Sequence, residues 1–257
     1  MKITIITVVR NAEKTILQAL ESVARQSYAD IEHWVLDGAS TDGTLKVIES
    51  FAKTHPNVRV RSQKDKGMYD ALNQGIQLAT GEVIGFLHAD DFYRHDKVLE
   101  EVASVFKPNL EAVYSDLVYV DPTDTTQIKR FWQSKPFHKG DFGKGFCPPH
   151  PTFFVRKSTY DRLGGFDTSL KIGNDVELMM RFMEKHQIPT YYHPAIWVVM
   201  RLGGISNRSF KNIWQQNQVI MKAFAKNGLP FSFYTYIFYK FLDRASQFLK
   251  KPKREYA

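Results

Sequence analysis

The hydrophobic pattern of residues 1–91 alternates between short apolar runs and segments with helical periodicity. The first run, from Ile3 to Val9, is β-branched and nearly continuous, which is typical of a strand buried on both faces. After it, apolar residues between Ile16 and Val23 recur at spacings of three and four, as in a helix that packs one face on a sheet. The alternation continues with predicted strands at 33–36, 58–60 and 83–87 and predicted helices at 45–51 and 68–79. This order of strands and helices predicts a parallel sheet with crossover helices.

Polar residues stand where these apolar runs end. They are Arg10-Asn11, Asp37-Gly38, Lys66-Gly67 and Asp90-Asp91. The carboxyl ends of parallel strands meet at one edge of a sheet, and the ligands of open α/β sheets bind there. The sequence therefore predicts a nucleotide site at this edge.

The pattern changes in the second half of the chain, where strands of mixed direction are predicted. The predicted elements are strands at 112–116, 129–132 and 152–155, a loop rich in Gly, Pro and His at 136–151, and helices beginning near Ser158 and Asp175. The fold class predicted from the whole pattern is α/β, with a Rossmann-like, mostly parallel central sheet flanked by helices.

The composition is that of a globular protein rather than a disordered chain, because 43% of the 257 residues are apolar and 24% are charged. This length suits one full α/β domain with an appendage. The single cysteine, Cys147, has no partner for an internal disulfide, which favours a reducing compartment. The chain lacks a signal-peptide pattern and a run of about 20 apolar residues, so we expect a cytoplasmic protein.

The net charge of +8 is concentrated toward the carboxyl terminus. Residues 1–200 contain 24 Lys and Arg against 25 Asp and Glu, whereas residues 201–257 contain 11 against 2, a surplus of nine positive charges. Such asymmetry favours an anionic partner for the tail, either nucleic acid or an acidic membrane surface. A solvated basic face on a helix is the alternative.

Three carboxylates are the first candidates for chemistry. Asp90 and Asp91 follow a buried strand, and adjacent carboxylates there suit a hard divalent cation, although such pairs also serve as helix caps. Asp175 falls where a helix begins, a position at which the helix dipole favours a carboxylate. Asp175 is therefore a candidate general base, and capping the helix is compatible with that role.

Six segments within residues 1–205 resemble family 2 glycosyltransferases with the GT-A fold, and they occur in the family's order. They read IITVVRN (5–11), VLDGASTDGT (35–44), DKGMYDALNQG (65–75), TGEVIGFLHADD (80–91), GGFD (164–167) and NDVEL (174–178). Each segment alone is a weak signal, whereas six in order are specific. The resemblance implies an inverting enzyme of the kind that builds bacterial cell-surface polysaccharides or glycolipids.

The resemblance also implies which residues contact a nucleotide. In chain order they are Thr7, Val9, Arg10, Asn11, Asp37, Lys66, Gly67, Tyr69, Asp70, Asn73 and Asp91. Among them, Asp37 would hydrogen-bond the base, Lys66 and the helix that begins near Tyr69 would line the ribose and diphosphate, and Asp91 would support its loop. UDP is the expected nucleotide by family frequency alone.

The implied reaction centre consists of Asp90, as a ligand of Mn²⁺ or Mg²⁺, and Asp175, as the catalytic base. The family's metal motif usually reads Asp-x-Asp, and here its first position is His88, a poor ligand for Mg²⁺ that Mn²⁺ accepts. His88 therefore either joins the metal site or orients a water or a phosphate. His150 and Arg201 fall on the acceptor or diphosphate side, although a histidine among prolines also suits a structural role.

The tail, residues 206–257, is predicted to be a basic amphipathic helical extension. Its strongest apolar stripe consists of Tyr234, Ile237, Phe238, Phe241, Leu242, Ala245, Phe248 and Leu249. Lys240 and Arg244 fall off this stripe. Two interpretations stay open: a helix packed on its own domain or in a homodimer, and a segment, 231–254, lying on an anionic membrane. The second would place the protein on the inner face of the cell membrane, and no nucleic-acid module accompanies the charge.

The sequence thus predicts a metal-dependent glycosyltransferase domain at 1–205, with a nucleotide-sugar-binding half at 1–110 and an acceptor half at 111–205. We expect transfer of a sugar from a nucleoside diphosphate sugar to a lipid-linked or saccharide acceptor. Two other classes are a non-catalytic scaffold that binds nucleotide or membrane and a sugar-1-phosphate nucleotidyltransferase. The latter normally has a glycine-rich loop after the first strand, whereas residues 10–14 contain no glycine.

Overall fold

The first half of the chain alternates strands and helices as the hydrophobic pattern predicts. The computed structural model describes residues 1–170, 173–203 and 210–249. Its strands are β1 Ile3–Val9, β2 Ile31–Asp37, β3 Val58–Ser62, β4 Val83–Phe86, β5 Phe92–Tyr93, β6 Ala112–Val120, β7 Ile128–Trp132, β8 Phe154–Arg156 and β9 Thr190–Arg201. Its helices are α1 Ile16–Ala24, α2 Thr44–Ala52, α3 Met68–Leu78, α4 Val98–Val105, α5 Lys157–Leu163, α6 Asn174–Met179, α7 Phe210–Asn227 and α8 Phe233–Leu249. A π-helical turn, Met180–Lys185, continues α6.

The nine strands of the described residues form one mixed sheet flanked by helices, with the order β3-β2-β1-β4-β8-β6-β9-β5 and with β7 paired to β6. β1 is parallel to β2 and β4, and β2 is parallel to β3, so the first half of the sheet is parallel as predicted. In the second half, β7 and β8 run antiparallel to β6 while β9 runs parallel to it. The predicted α/β fold class is confirmed.

The register of the parallel strands brings their polar ends to one edge. Val9 of β1 lies opposite Asp37 of β2, and Asp37 lies opposite Ser62 of β3. The backbone N–H of Gly38 donates to the carbonyl of Val9 at 2.9 Å, which extends the pairing one residue beyond the strand. The strands therefore end at the same level of the sheet, and the polar residues that follow them lie side by side at this edge.

Four elements differ from the sequence prediction. β5, α4 and β9 were not predicted, and β8 begins at Phe154 rather than at residue 152. Thr152 lies in a 3₁₀ turn instead, because its hydroxyl donates to the carbonyls of Ser115, at 2.9 Å, and Pro149, at 2.8 Å. β9 could not be predicted from its pattern, because it contains Pro194, a residue that is rare inside strands. Pro194 lies at the point where the register of β9 against β6 shifts.

The described part of the tail packs on the domain. Ile220, Ala223 and Phe224 of α7 and Tyr236 of α8 belong to the largest buried cluster of the protein. Lys240, predicted off the apolar stripe and toward an anionic surface, instead lies against the domain. Residues 206–209 and 250–257 of the predicted tail lie outside the described residues. Nowhere in the described ranges is a helix both long and apolar enough to span a membrane.

Gly85 lets the ring of Phe154 pack directly on the backbone of β4, since a Cβ at Gly85 would lie 2.3 Å from a ring carbon. We expect Gly85→Ala to lower the free energy of unfolding by about 1–3 kcal/mol, because the fully buried ring has to shift. Gly143→Ala is the matched control, with nothing within 4 Å of its Cβ, and should change the value by less than about 0.5 kcal/mol. Chemical denaturation measures both, and equal stability of the two variants would contradict this packing.

His33 makes the stability depend on pH, because burial lowers its pKa to about 3 from the 6.5 of an unfolded chain. Between these values only the unfolded state binds the proton, so stability falls as the pH is lowered below about 6.5, by up to about 1.4 kcal/mol per pH unit. We expect His33→Gln to flatten the dependence of the unfolding free energy on pH between about 6.5 and 5. His138→Gln, at a histidine 77% exposed, should keep the wild-type slope. Identical slopes in all three proteins would refute the assignment.

Candidate active site

Asn11 joins the loops that follow β1 and β2. Its backbone N–H donates to Ser40 Oγ at 2.9 Å, and its side-chain Oδ1 accepts the backbone N–H of Thr41 at 2.8 Å. Its φ is 53°, in the left-handed region that Asn tolerates better than most residues. The Asn11 side chain thus shapes the loop, and Arg10 is exposed beside it.

Thr7 and Val9, both predicted beside the nucleotide, have buried side chains. Thr7 Oγ1 lies 3.0 Å from Nε2 of the buried His33, and Val9 belongs to a core cluster with Ile16. A strand covered on both faces hides its polar residues as well as its apolar ones. The nucleotide contact of Thr7 and Val9 stays a prediction, and their backbone atoms are the groups left to make it. Arg10 and Asn11 are the members of this segment that reach the surface.

Asp37 is held at the carboxyl end of β2 by hydroxyl groups. Its buried carboxylate accepts the backbone N–H of Ser40 at 3.2 Å, the Ser40 hydroxyl, and the Ser62 hydroxyl at 2.6 Å. A small cavity opens next to it, lined by Leu36, Asp37, Arg61, Gln63, Asp65, Ala71 and Gln74. A carboxylate has about four acceptor positions, so Asp37 retains the capacity to accept a further donor from a ligand.

The start of α3 carries Lys66, Gly67 and Asp70 to the same edge. Asp70 Oδ2 accepts the backbone N–H of Lys66 at 3.2 Å, and Asp65 Oδ1 accepts that of Gly67 at 2.8 Å. The Lys66 side chain is exposed. The two carboxylates therefore fix the turn, and the ammonium group of Lys66 extends from a backbone that is held on both sides.

Tyr69 and Asn73 of α3 connect this edge to the second half of the chain. The amide of Asn73 donates to the carbonyl of Phe166 at 2.8 Å and accepts its backbone N–H at 2.7 Å. Gly165 permits this approach, because a Cβ there would lie 2.2 Å from Asn73 Oδ1. Both groups of the amide are engaged, so Asn73 positions the loop at Phe166, and its contact with a nucleotide stays a prediction.

The Tyr69 hydroxyl reaches the start of α6. Its ring lies 5.5 Å from that of Phe166, and the backbone N–H groups of Gly173 and Asn174 lie near enough to its oxygen to oppose the rise in its pKa. Burial and the nearby Asp175 carboxylate raise the pKa of Tyr69, so the phenol stays protonated at neutral pH. The structure thus brings a predicted nucleotide residue next to the predicted base.

The turn after β4 is fixed by Arg201, at the end of β9. The Arg201 guanidinium donates to the backbone carbonyl of Asp90 and to Gln18 Oε1, and it lies 5.4 Å from the centre of the Phe92 ring. Asp90 is half-exposed, and its carboxylate has no hydrogen-bond partner within the described part of the chain. Arg201 therefore shapes the turn and leaves the Asp90 carboxylate open.

Asp91 lies beneath this turn. Both of its carboxylate oxygens are buried and make no hydrogen bond to any described residue. Burial, together with the neighbouring Asp90, raises the pKa of Asp91 well above its ordinary value. Asp91 therefore lies inside the loop, and its supporting role there stays a prediction.

His88 and His150 form a pair of neutral imidazoles beside the turn. Their ring centres are 5.5 Å apart, and the ring of His150 stacks on Phe86 at 5.6 Å. Burial, with a further contribution from His88, lowers the pKa of His150 to about 3. Burial also lowers the pKa of His88, against the opposing effect of Asp90 and Asp175. Neutral rings retain a lone pair, which suits a metal ion or a proton donor.

Asp175 stands in the first turn of α6, directly after Gly173 and Asn174. It is half-buried, and this burial raises the pKa of its carboxyl group. The backbone N–H groups of Val176 and Asp175 and the nearby His88 oppose that increase. A carboxylate held at a helix start, with a raised pKa and an imidazole beside it, is suited to accept a proton from a ligand hydroxyl.

The predicted residues therefore fall into two neighbouring groups. The first group lies at the ends of the parallel strands and consists of Arg10, Asn11, Asp37, Lys66, Gly67 and Asp70. The second group lies around the turn after β4 and the start of α6, and consists of His88, Asp90, His150, Asp175 and Arg201. Tyr69 stands between the two groups. No group of three His, Cys, Asp or Glu side chains placed to hold a metal ion occurs among the described residues. Two residues of the site were not predicted. Ser62, which bonds Asp37, has no signal in the sequence, whereas Asp65, which bonds the backbone of Gly67, lies inside one of the segments that resemble the family.

The Asn73 contact is open to a direct test. Asn73→Ala removes two hydrogen bonds and leaves the backbone of Phe166 without partners, so we expect the free energy of unfolding to drop by about 1–3 kcal/mol. Gln77→Ala, an exposed amide on the same helix, is the control and should stay within about 0.5 kcal/mol of the wild type. Urea denaturation of the three proteins provides the comparison, and a neutral Asn73→Ala would remove the positioning role.

Comparison with known proteins identifies the family. Residues 4–163, more than half of the chain, match the family model described as Glycosyl transferase family 2. The PGL/p-HBAD biosynthesis glycosyltransferase of Mycobacterium bovis (strain BCG / Pasteur 1173P2) is 31% identical over 202 residues, which are 77% of this chain and 76% of that protein.

Solved structures show the fold. S. aureus TarS 1-349 matches 99% of this chain and 76% of its own with a TM-score of 0.68 at 20% identity. The mannosyltransferase PcManGT from Pyrobaculum calidifontis, solved with GDP-Man and Mn²⁺, matches 88% of this chain and 63% of its own with a TM-score of 0.62 at 23% identity. The chain spans 41% of the longer TarS structure. By its fold and its family match, the chain is a GT-A glycosyltransferase that belongs to glycosyl transferase family 2.

Proposed function

We propose that this glycosyltransferase moves a sugar from a nucleoside diphosphate sugar to a hydroxyl of a lipid-linked or saccharide acceptor, with inversion at the anomeric carbon. The observation that carries the proposal is the position of Asp175. This carboxylate has a raised pKa, starts a helix, and lies close enough to His88 for each to change the other's pKa. A base in that position faces the turn that carries Asp90.

The donor is proposed to lie along the carboxyl edge of the sheet. Asp37 and the cavity beside it would receive the base, and the exposed Lys66 would approach the diphosphate. The related structures support a nucleotide sugar, since TarS 1-349 was solved with UDP-GlcNAc and PcManGT with GDP-Man. UDP is the first nucleotide to test.

His88 and Asp90 are the proposed metal ligands. The donor set fits a cation that is shared with a diphosphate, because two protein ligands leave the remaining positions to phosphate oxygens and water. The open Asp90 carboxylate and the neutral His88 imidazole suit Mn²⁺ better than Mg²⁺. Bound there, Mn²⁺ or Mg²⁺ would supply positive charge that stabilises the departing diphosphate. Arg201 holds the Asp90 backbone in place for this role.

The proposed reaction is a single displacement. Asp175 accepts the proton of the acceptor hydroxyl as that oxygen forms its bond to the anomeric carbon. The bond from the anomeric carbon to the diphosphate oxygen breaks with its electron pair, and the nucleoside diphosphate leaves. Because the new bond forms on the face opposite the leaving group, the configuration inverts and no covalent enzyme intermediate forms.

The acceptor is proposed to be lipid-linked, as part of surface polysaccharide or glycolipid synthesis. Support comes from the Mycobacterium relative, whose name assigns it to PGL/p-HBAD biosynthesis. The protein would then work as a peripheral protein on the inner face of the cell membrane.

We expect Asp175→Asn to lower turnover by about 10²–10⁴-fold while donor binding is retained, because the amide cannot accept the proton. Release of nucleoside diphosphate from a panel of UDP-, GDP- and dTDP-sugars, with and without Mn²⁺, measures turnover. Thermal stabilisation by the same sugar nucleotides measures binding.

Asp161→Asn is the matched control, since Asp161 is an exposed carboxylate on α5 that pairs with Lys157 at 2.8 Å. Its turnover should equal that of the wild type. Full turnover in Asp175→Asn would overturn the assignment of the base. Wild-type protein that releases no diphosphate from any donor in the panel would overturn the proposed reaction.

A further inference from the structure

Polar groups on one face of α8 bond to α7 and to β7. Lys240 Nζ donates to Asn217 Oδ1 of α7 and to the hydroxyl of the buried Tyr236 in its own helix, each at 2.9 Å. About two turns further on, buried Gln247 accepts a hydrogen bond from Arg130 of β7 at 2.7 Å. Positions 236, 240 and 247 are spaced by four and seven, so they lie along one side of the helix. This side of α8 faces the protein.

The opposite face carries large apolar side chains in the open. Tyr234 is 86% exposed, Phe238 59%, Phe241 71% and Leu242 46%. Their spacings of four, three and one place them on a single stripe, which we call the outer face of α8. Half-buried Ile237 borders this stripe and packs against the core. The outer face of α8 therefore exposes a stripe of large apolar side chains, which an ordinary surface helix would turn toward the protein.

The sequence that contains α8 carries a net positive charge. Residues 201–257 carry a surplus of nine positive charges, and Lys250, Lys251, Lys253 and Arg254 follow α8 directly in the sequence. Within α8 the one acidic residue, Asp243, accepts a hydrogen bond from Gln247 at 2.6 Å. An anionic surface complements this charge, whereas a second copy of the chain would bring the same positive charge against itself.

We propose that the outer face of α8 docks on an anionic lipid bilayer. Tyr234, Phe238, Phe241 and Leu242 enter the boundary between headgroups and acyl chains, where aromatic rings are favoured. The net positive charge of residues 201–257 favours anionic over neutral headgroups. The docked helix lies in the membrane plane and does not cross it.

The inner face of the same helix lies against the acceptor half of the candidate site. Lys240 packs on the loop that leads to Cys147 and His150, where a Cβ at Gly145 would come within 2.9 Å of Lys240 Cβ. When the outer face is docked, only the thickness of α8, about 10 Å, separates this loop from the bilayer. A lipid-linked acceptor could then reach the loop from the membrane surface. This consequence rests on the proposed function, whereas the docking itself does not.

Sedimentation with vesicles tests the docking without any donor or acceptor. The full-length protein should bind vesicles of phosphatidylcholine with phosphatidylglycerol, bind phosphatidylcholine alone far less, and be released by salt. The double variant Phe238→Ser/Phe241→Ser should bind the anionic vesicles at least about tenfold more weakly. Because both rings are exposed, its thermal unfolding and its release of nucleoside diphosphate from a sugar nucleotide should match the wild type.

Leu17→Ser/Tyr191→Ser is the control, since these side chains are 44% and 43% exposed elsewhere on the protein. This variant should bind vesicles as the wild type does. Wild-type protein that ignores anionic vesicles, or a double variant that binds them unchanged, would overturn the docking. A wild-type dimer that becomes monomeric in Phe238→Ser/Phe241→Ser, with vesicle binding unaltered, would assign the outer face to a second copy. Vesicle binding with no turnover from any sugar nucleotide would leave the docking intact and reject the proposed function.

Discussion

The two hydrogen bonds between the Asn73 amide and the backbone of Phe166 hold the candidate site together. They join α3, which belongs to the nucleotide edge, to a loop 93 residues further along the chain. The Tyr69 hydroxyl, one helical turn earlier, lies near the backbone N–H groups at the start of α6. The turn that carries Asp175 is therefore next to α3, the helix that begins at the nucleotide edge.

Electrostatics at the site follows from burial more than from pairing. His88 and His150 are neutral because they are covered, and Asp91 is driven toward its protonated form by the same cause. The half-exposed Asp90 and Asp175 stand beside these groups and act on His88 electrostatically.

Features that depend on the local sequence pattern, such as buried strands, could be predicted. Features that depend on contacts between residues far apart in the sequence could not. The parallel strands and their polar ends were predicted because a buried strand is readable from a run such as Ile3 to Val9. The contact between the Thr7 hydroxyl and His33 could not be predicted, because only the tertiary structure brings the two side chains together. Asn73 lies in a matching segment, yet its role depends on Phe166, far away in sequence. β9 was missed because Pro194 breaks the alternation that would reveal a strand.

The two faces of α8 differ in how strongly the fold constrains their residues. Tyr236 and Lys240 are tied to the fold, so changes on the inner face cost stability. Phe238 and Phe241 touch little of the protein, so the outer face is free to vary without disturbing the catalytic domain. Substitutions on the outer face of α8 can therefore change which surface the protein binds while the residues of the candidate site stay the same.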